Sequence, residues 1–147
     1  MSTAPRRPAT DTPQWLRRLP WVAVLLWAAV IFAISARPGS TLPGGYSVQG
    51  HLGEYFILGA LLFWALRGRR SESNAVAVAL ILASLYGITD EIHQHFVVLR
   101  TPDVADWALD TVGATLGALT ACAVVRLRSS RRRSAPPDSD RSPAGGS

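Results

Sequence analysis

Three stretches that lie far apart in the sequence combine acidic residues with histidine, tyrosine or amide side chains at helical spacing. In the first, His51, Glu54 and Tyr55 stand three and four positions apart, so on an α-helix they share one face. The second stretch contains Asp90, Glu91 and Gln94. Carboxylate and imidazole groups bind polar ligands, transfer protons as general acids and bases, and coordinate metal ions. These stretches therefore contain the candidate functional residues.

The third stretch places acidic residues and small residues along one helical face. Positions three or four apart form the stripe Asp103, Asp106, Asp110, Gly113 and Gly117. Gly113 and Gly117 make a small-xxx-small pattern, which lets two helices approach closely. Gly87 stands three positions before Asp90, so on a helix a small residue again lies on the same face as an acidic one. We expect packing at these three glycines to hold the polar ends of the helices together.

Metal binding is weakly indicated. His51-x-x-Glu54 and Asp90-x-x-His93 place imidazole and carboxylate one helical turn apart, but neither is the HExxH motif. Oxygen-rich ligand sets favour Mg²⁺, Mn²⁺ or Ca²⁺ over zinc. The cofactor content stays open at this stage, with a divalent cation as the less favoured alternative.

The element that begins the hydrophobic part of the chain is a run without charges from Leu19 to Ala36. About 18 apolar residues are enough for a helix that spans a bilayer. A secretory signal peptide is the competing interpretation, because Ala33-Ile34-Ser35 resembles a cleavage site. Three further apolar runs follow, which favours a membrane span.

Each of those further runs is too short to span a bilayer alone, because a spanning helix needs about 20 residues. Extended through their polar neighbours, they become helices over residues 47–66, 75–94 and 106–125. The extensions contain the acidic residues and His51. The sequence thus predicts an all-α, polytopic membrane protein, a four-helix transmembrane bundle.

The arginine distribution predicts the orientation of this bundle. Thirteen arginines fall in the N-terminal segment, the second loop and the C-terminal segment, whereas the first and third loops have only Arg37 and Arg100. By the positive-inside rule, both termini are cytoplasmic. The polar stretches of the last three helices then lie at a similar depth beneath the outer surface. Arg100, with Arg37, is expected to balance their carboxylates.

The terminal segments carry most of the charge. Residues 1–19 and 126–147 hold ten of the fifteen basic residues, so basicity belongs to the tails and a folded nucleic-acid binder is disfavoured. We expect a disordered basic tail over residues 1–18, a membrane domain over 19–127 and a disordered Arg/Ser/Pro-rich tail over 128–147. The single cysteine, Cys122, excludes a disulfide framework.

The three polar stretches, Gly50–Gly59, Asp90–Gln94 and Arg100–Gly113, resemble the VanZ-like family of small bacterial membrane proteins. The resemblance covers roughly residues 22–125. The positions that match the family's motifs are His51, Tyr55, Asp90, Glu91, Gln94, Arg100, Asp106, Gly113 and Gly117. The family's namesake confers low-level teicoplanin resistance, so the resemblance implies a multi-pass envelope protein with a role in glycopeptide tolerance.

This chain departs from the family's pattern at three places. Ser47-Val48 replaces an Asp-Lys that many members carry before the histidine. Val98-Leu99 stands where Pro-Gly often precedes the arginine, which changes the turn. Asp110 occupies a position that is commonly Asn and therefore adds a charge.

The favoured hypothesis is an accessory envelope protein whose outer polar pocket binds the head group of a lipid or of a lipid-linked cell-wall precursor. Arg100 would contact phosphate, and the carboxylates would bind hydroxyl, amine or cation groups. The alternative is an outer-leaflet enzyme that cleaves a lipid-linked phosphate or glycosidic bond by carboxylate acid–base chemistry, with or without a metal. Proton-coupled transport is disfavoured, since the polar groups stop at the outer half. Besides the bilayer, a second copy of the chain is a candidate partner.

Overall fold

The computed structural model describes residues 18–38 and 46–134, and over these ranges the protein is all-α. The four helices are α1 (Leu19–Ser35), α2 (Tyr46–Leu66), α3 (Glu72–Gln94) and α4 (Val104–Arg133). They follow the four predicted spans closely. The predicted N-terminal tail up to residue 17, most of the first loop and residues 135–147 lie outside the described part of the chain.

Local signals in the sequence explain where the helices begin. The Ser71 side chain accepts a hydrogen bond from the Asn74 amide at the start of α3, and Asp103 accepts one from the Ala105 amide at the start of α4. Both side chains satisfy amides that have no partner within the first helical turn. Pro20 occupies the first turn of α1, where its missing N–H costs no hydrogen bond.

The far end of α4 corrects one expectation. The C-terminal tail was expected to start at residue 128, but the helix continues through Arg133. Arginine is a good helix former, and the cations Arg131, Arg132 and Arg133 in the last turn interact favourably with the negative end of the helix dipole.

The core joins large side chains of α2 to small side chains of α3 and α4. From α2 come Tyr55, Leu58, Leu62 and Phe63; facing them are Ala75, Ala79, Ala83, Gly87, Gly113, Ala114, Gly117 and Ala118. Small residues let helix backbones approach closely without a hydrophobic driving force between the helices. The most extensive interface is between α2 and α4.

Three glycines determine how closely α2 and α4 approach. A Cβ atom on Gly113 would lie 2.5 Å from the Leu52 carbonyl oxygen, and one on Gly117 would overlap the Phe56 carbonyl oxygen. From the opposite side, a Cβ on Gly59 would overlap the Ala114 carbonyl oxygen. Any side chain at these three positions would push the two helices apart.

The outer surface of the bundle is strongly apolar. Exposed large hydrophobic residues occur on every helix, among them Leu25, Leu26, Ile57, Ile81, Leu85, Leu116 and Leu119.

Of the described helices, α3 and α4 are long and apolar enough to cross a membrane, and α1 is apolar but has only 17 residues. Polar residues in the first half of α2 lower its hydropathy. A fold with apolar residues outside and polar residues inside suits a membrane protein.

The α3–α4 loop shows what the Val98-Leu99 departure does to the turn. Leu99 has a φ of 58°, which is the left-handed region that glycine enters without strain. For a residue with a side chain, this conformation costs about 1–2 kcal/mol. The backbone therefore makes a left-handed turn before Arg100 even though the residue there is leucine and not glycine.

Candidate functional site

A hydrogen bond between buried side chains joins α2 to α4 near one end of the bundle. His51 Nδ1 lies 2.9 Å from Asp110 Oδ1, and Asp110 is fully buried. His51 is in the first turns of α2, and Asp110 is in the second turn of α4. The close approach of α2 and α4 at Gly113 places the two side chains opposite each other.

The third helix brings a second carboxylate to this pair. One ligand atom each of His51, Glu91 and Asp110 lies within 4.8 Å of the other two, and all three residues are buried. Gly87 lets α3 approach α4 here, because a Cβ on this residue would lie 3.2 Å from Asp110 Oδ2. We call His51, Glu91 and Asp110 the buried triad, and this end of the bundle the polar end.

The loop before α4 also holds Glu91 in place. Glu91 Oε2 accepts a hydrogen bond of 2.8 Å from the Asp103 amide. Asp103 in turn caps α4 through its own side chain. Glu91 thus connects the C-terminal end of α3 to the N-terminal end of α4. Its second oxygen, Oε1, has no hydrogen-bond partner among the described residues.

The His51 ring faces carboxylates on both sides. While Nδ1 bonds Asp110, Nε2 lies 3.7 Å from Asp106 Oδ2. A neutral imidazole has only one N–H, so one of its nitrogens must be an acceptor. For both His51 nitrogens to face carboxylate oxygens favourably, an additional proton or another cation must lie between the ring and one of the two carboxylates.

A second polar cluster joins α1 to α3. Asp90 Oδ2 accepts hydrogen bonds from the Ser35 hydroxyl at 2.8 Å and from Gln94 Nε2 at 3.1 Å. All three residues are buried. Tyr55 is fully buried as well, and its ring lies 6.2 Å from that of Tyr86. With this cluster, all four helices contribute polar groups to the polar end.

Other predicted site residues lie elsewhere around the polar end. Glu54 is half-buried, and its backbone oxygen accepts a 2.8 Å hydrogen bond from the Trp27 indole. Arg100 lies beside α1, with Nε 3.5 Å from the Arg37 carbonyl oxygen, and it joins none of the ion pairs between described residues. His93 stacks on Phe32 at a ring distance of 4.1 Å rather than bonding to Asp90.

An apolar groove opens next to the buried triad. It has a volume of about 500 Å³, and α3, α4 and the loop between them line it with Ile88, Ile92, Phe96, Val104 and Trp107. Glu91 also lines this groove, so one residue belongs to both the groove and the triad. A molecule with an apolar chain and a polar head could therefore contact both.

Two contributors to this geometry were not among the predicted site residues. Ser35 is the second-last residue of the first predicted span. The predicted topology places that end of the span beside the other polar residues. Gly59 lies four positions after Tyr55 on the same face of α2, and this spacing was the available signal for a packing role. Neither residue carries a charge, so neither stands out by type.

Comparison with known proteins agrees with the motifs. Neither the curated proteins nor the solved structures contain a match to this chain. The sequence profile described as VanZ/LLP1 matches residues 20–126, which is well over half of the chain and includes all four helices as far as Arg126. The matched region contains the buried triad, the Asp90 cluster and the glycines of the α2–α4 interface, and the chain therefore belongs to the VanZ/LLP1 family.

Proposed function

We propose that this protein is a multi-pass protein of the cell membrane that binds the head group of a lipid-linked cell-wall precursor and thereby contributes to tolerance of teicoplanin-type glycopeptides. In this proposal all four helices span the bilayer and both termini are cytoplasmic. The polar end then lies just beneath the outer surface, where such precursors are exposed to the antibiotic.

The observation that carries this proposal is the shared position of Glu91. Its carboxylate belongs to the buried triad and also lines the apolar groove between α3 and α4. Binding sites for amphipathic molecules combine an apolar wall with a few convergent polar groups. Here the groove would hold part of the lipid chain while the polar end binds the head group.

The side chains of the polar end suit a head group that has both hydrogen-bond donors and a phosphate group. Asp106, Glu91 and the exposed Asp103 offer carboxylate oxygens to hydroxyl and amide donors. Arg37 and Arg100 lie next to each other at the same end, and guanidinium groups bind phosphate through paired hydrogen bonds. This division of roles keeps phosphate away from the carboxylates.

Cysteine accessibility tests the orientation. In a Cys122→Ala background, we expect Thr101→Cys to react with a membrane-impermeant maleimide in intact cells. Gly68→Cys should react only after the membrane is opened. Both positions are exposed, so a difference in labelling reports the side of the membrane and not burial. Labelling of both cysteines in intact cells would contradict the proposed topology.

Filling the groove tests the binding function. Ile92 lines the groove and is 58% exposed, whereas Ile81 lies outside it on the same helix and is 56% exposed. Ile92→Trp should raise the dissociation constant for a lipid-linked cell-wall precursor by at least about tenfold, which is a loss of about 1.4 kcal/mol. At precursor concentrations well below the dissociation constant, the fraction of purified protein that retains the precursor falls by the same factor. Ile81→Trp should leave retention unchanged. Native mass spectrometry of the protein with the precursor gives this fraction directly.

The same pair of variants connects binding to tolerance. In a glycopeptide-susceptible strain that expresses the protein, Ile92→Trp should remove the rise in teicoplanin tolerance, while Ile81→Trp should keep it at equal membrane abundance. Arg100→Ala should also lower tolerance without loss of insertion, because it removes a phosphate contact. Unchanged tolerance in both Ile92→Trp and Arg100→Ala would count against the proposal.

A further inference from the structure

We propose that the buried triad of His51, Glu91 and Asp110 binds a divalent transition-metal ion. The three residues come from α2, α3 and α4, and each is at least nine-tenths buried. This inference depends on the geometry of the polar end alone, so it stands whether or not the groove binds a lipid.

The spacing of the ligand atoms supports a metal site. One atom from each residue lies within 4.8 Å of the others. Bonds of about 2.0–2.2 Å place three ligands of one ion about 3.0–3.8 Å apart. The triad would contract by up to about 1–2 Å on binding, and rotation of the Glu91 and Asp110 carboxyl groups would contribute to that movement.

The unsatisfied oxygen atoms of the triad are the second line of support. Glu91 Oε1 and Asp110 Oδ2 are both buried, and neither has a hydrogen-bond partner within residues 18–38 and 46–134. Glu91 is 8% exposed and Asp110 is 0% exposed. A buried polar atom without a partner carries a desolvation penalty that a ligand can offset. Both residues thus have an oxygen available for a cation. Glu91 Oε2 would keep its hydrogen bond from the Asp103 amide. His51 Nδ1 would exchange its hydrogen bond with Asp110 Oδ1 for a bond to the ion, and the ring proton would then stand on Nε2, which faces Asp106.

The balance of charge at the polar end points to a cation. Besides Glu91 and Asp110, the carboxylates of Asp90 and Asp106 face this region. The basic group among them is His51, since Arg37 and Arg100 form none of the ion pairs between described residues. Buried carboxylates are stabilised by paired charges, by a bound metal ion or by taking up a proton. A divalent ion would reduce the excess of negative charge.

The donor set selects the class of ion. One imidazole nitrogen with two carboxylate oxygens matches Mn²⁺, Fe²⁺ or Zn²⁺, whereas Mg²⁺ and Ca²⁺ prefer oxygen ligands alone. The remaining coordination positions would be available to water or to an external oxygen. If the proposed lipid binding also holds, the ion would bind a hydroxyl oxygen of the head group, and only this consequence rests on the proposed function.

The test uses the full chain, purified in detergent, stripped with EDTA and titrated with Mn²⁺ while free Mn²⁺ is measured by electron paramagnetic resonance. We expect one Mn²⁺ bound per chain. Glu91→Gln and Asp110→Asn should each weaken binding by more than about 100-fold, because loss of a direct ligand exceeds the 10–100-fold effect of an outer contact. Glu72→Gln, the same kind of change at the other end of α3, should bind as the unaltered protein does.

A second measurement keeps the proposal falsifiable if the variants fold poorly. Electron spin-echo modulation of Mn²⁺ bound to the unaltered protein should show coupling to an imidazole nitrogen. His51→Gln should remove this coupling, and His95→Gln, which changes an exposed histidine, should keep it. Absence of bound Mn²⁺, absence of nitrogen coupling, or unaltered affinity in Glu91→Gln and Asp110→Asn would each overturn the metal site.

Discussion

Gly117→Leu is expected to prevent α2 and α4 from packing together. A Cβ atom at this position would overlap the Phe56 carbonyl oxygen and lie 2.7 Å from the Phe56 carbonyl carbon and 3.1 Å from the Ala60 amide nitrogen. These are backbone atoms within a helix, so they cannot move aside as a flexible side chain would. Overpacking of a well-packed core usually costs about 1–3 kcal/mol, and a leucine against helix backbone should exceed that range.

The measurement is thermal unfolding of the purified protein in detergent. Its readout is the fraction of the protein that remains monodisperse after heating. Gly53→Ala on α2 is the matched control, because a Cβ there meets no atom within 4 Å. In that control, alanine should stabilise the helix by up to about 1 kcal/mol, since glycine is the poorer helix former. A Gly117→Leu protein as stable as the Gly53→Ala protein would show that the helices do not approach as described.

Asp110→Ala is expected to have the second-largest effect, because it breaks the buried pair with His51. The two side chains are 2.9 Å apart, and Asp110 is fully buried. Removal of one partner from a buried pair leaves the remaining group without compensation, which typically costs about 3–5 kcal/mol when the pair is ionic. The comparison is made in EDTA, so that a change in bound metal does not contribute.

Asp106 provides the matched control for that pair. Its Oδ2 lies 3.7 Å from His51 Nε2, and its side chain is 18% exposed. Asp106→Ala should therefore cost less than about 1 kcal/mol, as for partly solvated ion pairs. A double-mutant cycle with His51→Gln should give a coupling energy above about 1 kcal/mol for Asp110 and a smaller one for Asp106. Equal coupling for the two acids would contradict the assignment of His51 to Asp110.

Much of the helical architecture could be predicted from local sequence features. Apolar runs interrupted by arginine-rich and Pro/Gly-rich segments mark the four helices, and Ser71 and Asp103 signal two helix starts. The end of α4 could not be placed as well. Arg131, Arg132 and Arg133 fit both a charged tail and a helix terminus, and composition does not separate these two states.

The residues of the buried triad could be proposed as candidates from the sequence, whereas Ser35 and the contacts between the side chains could not. Regular spacing placed His51 on one face of α2 and Asp110 on the glycine stripe of α4. The same reasoning expected Arg100 to balance the carboxylates, yet its Nε lies near the Arg37 carbonyl oxygen. The position of a long side chain on a loop depends on how that loop turns, and the left-handed Leu99 directs the turn.

We could predict from the sequence the helices, their apolar surfaces and the presence of acidic residues and histidine at one end of three of them. These features follow from the period of an α-helix and from the cost of burying charge. Which groups meet, in contrast, depends on the tertiary structure. The pairing of His51 with Asp110, the contact of Ser35 with Asp90 and the exposure of Glu91 to the groove depend on the rotation and separation of whole helices. Close backbone contacts at Gly59, Gly113 and Gly117 set that rotation and separation, and such contacts arise only between segments that are distant in the chain.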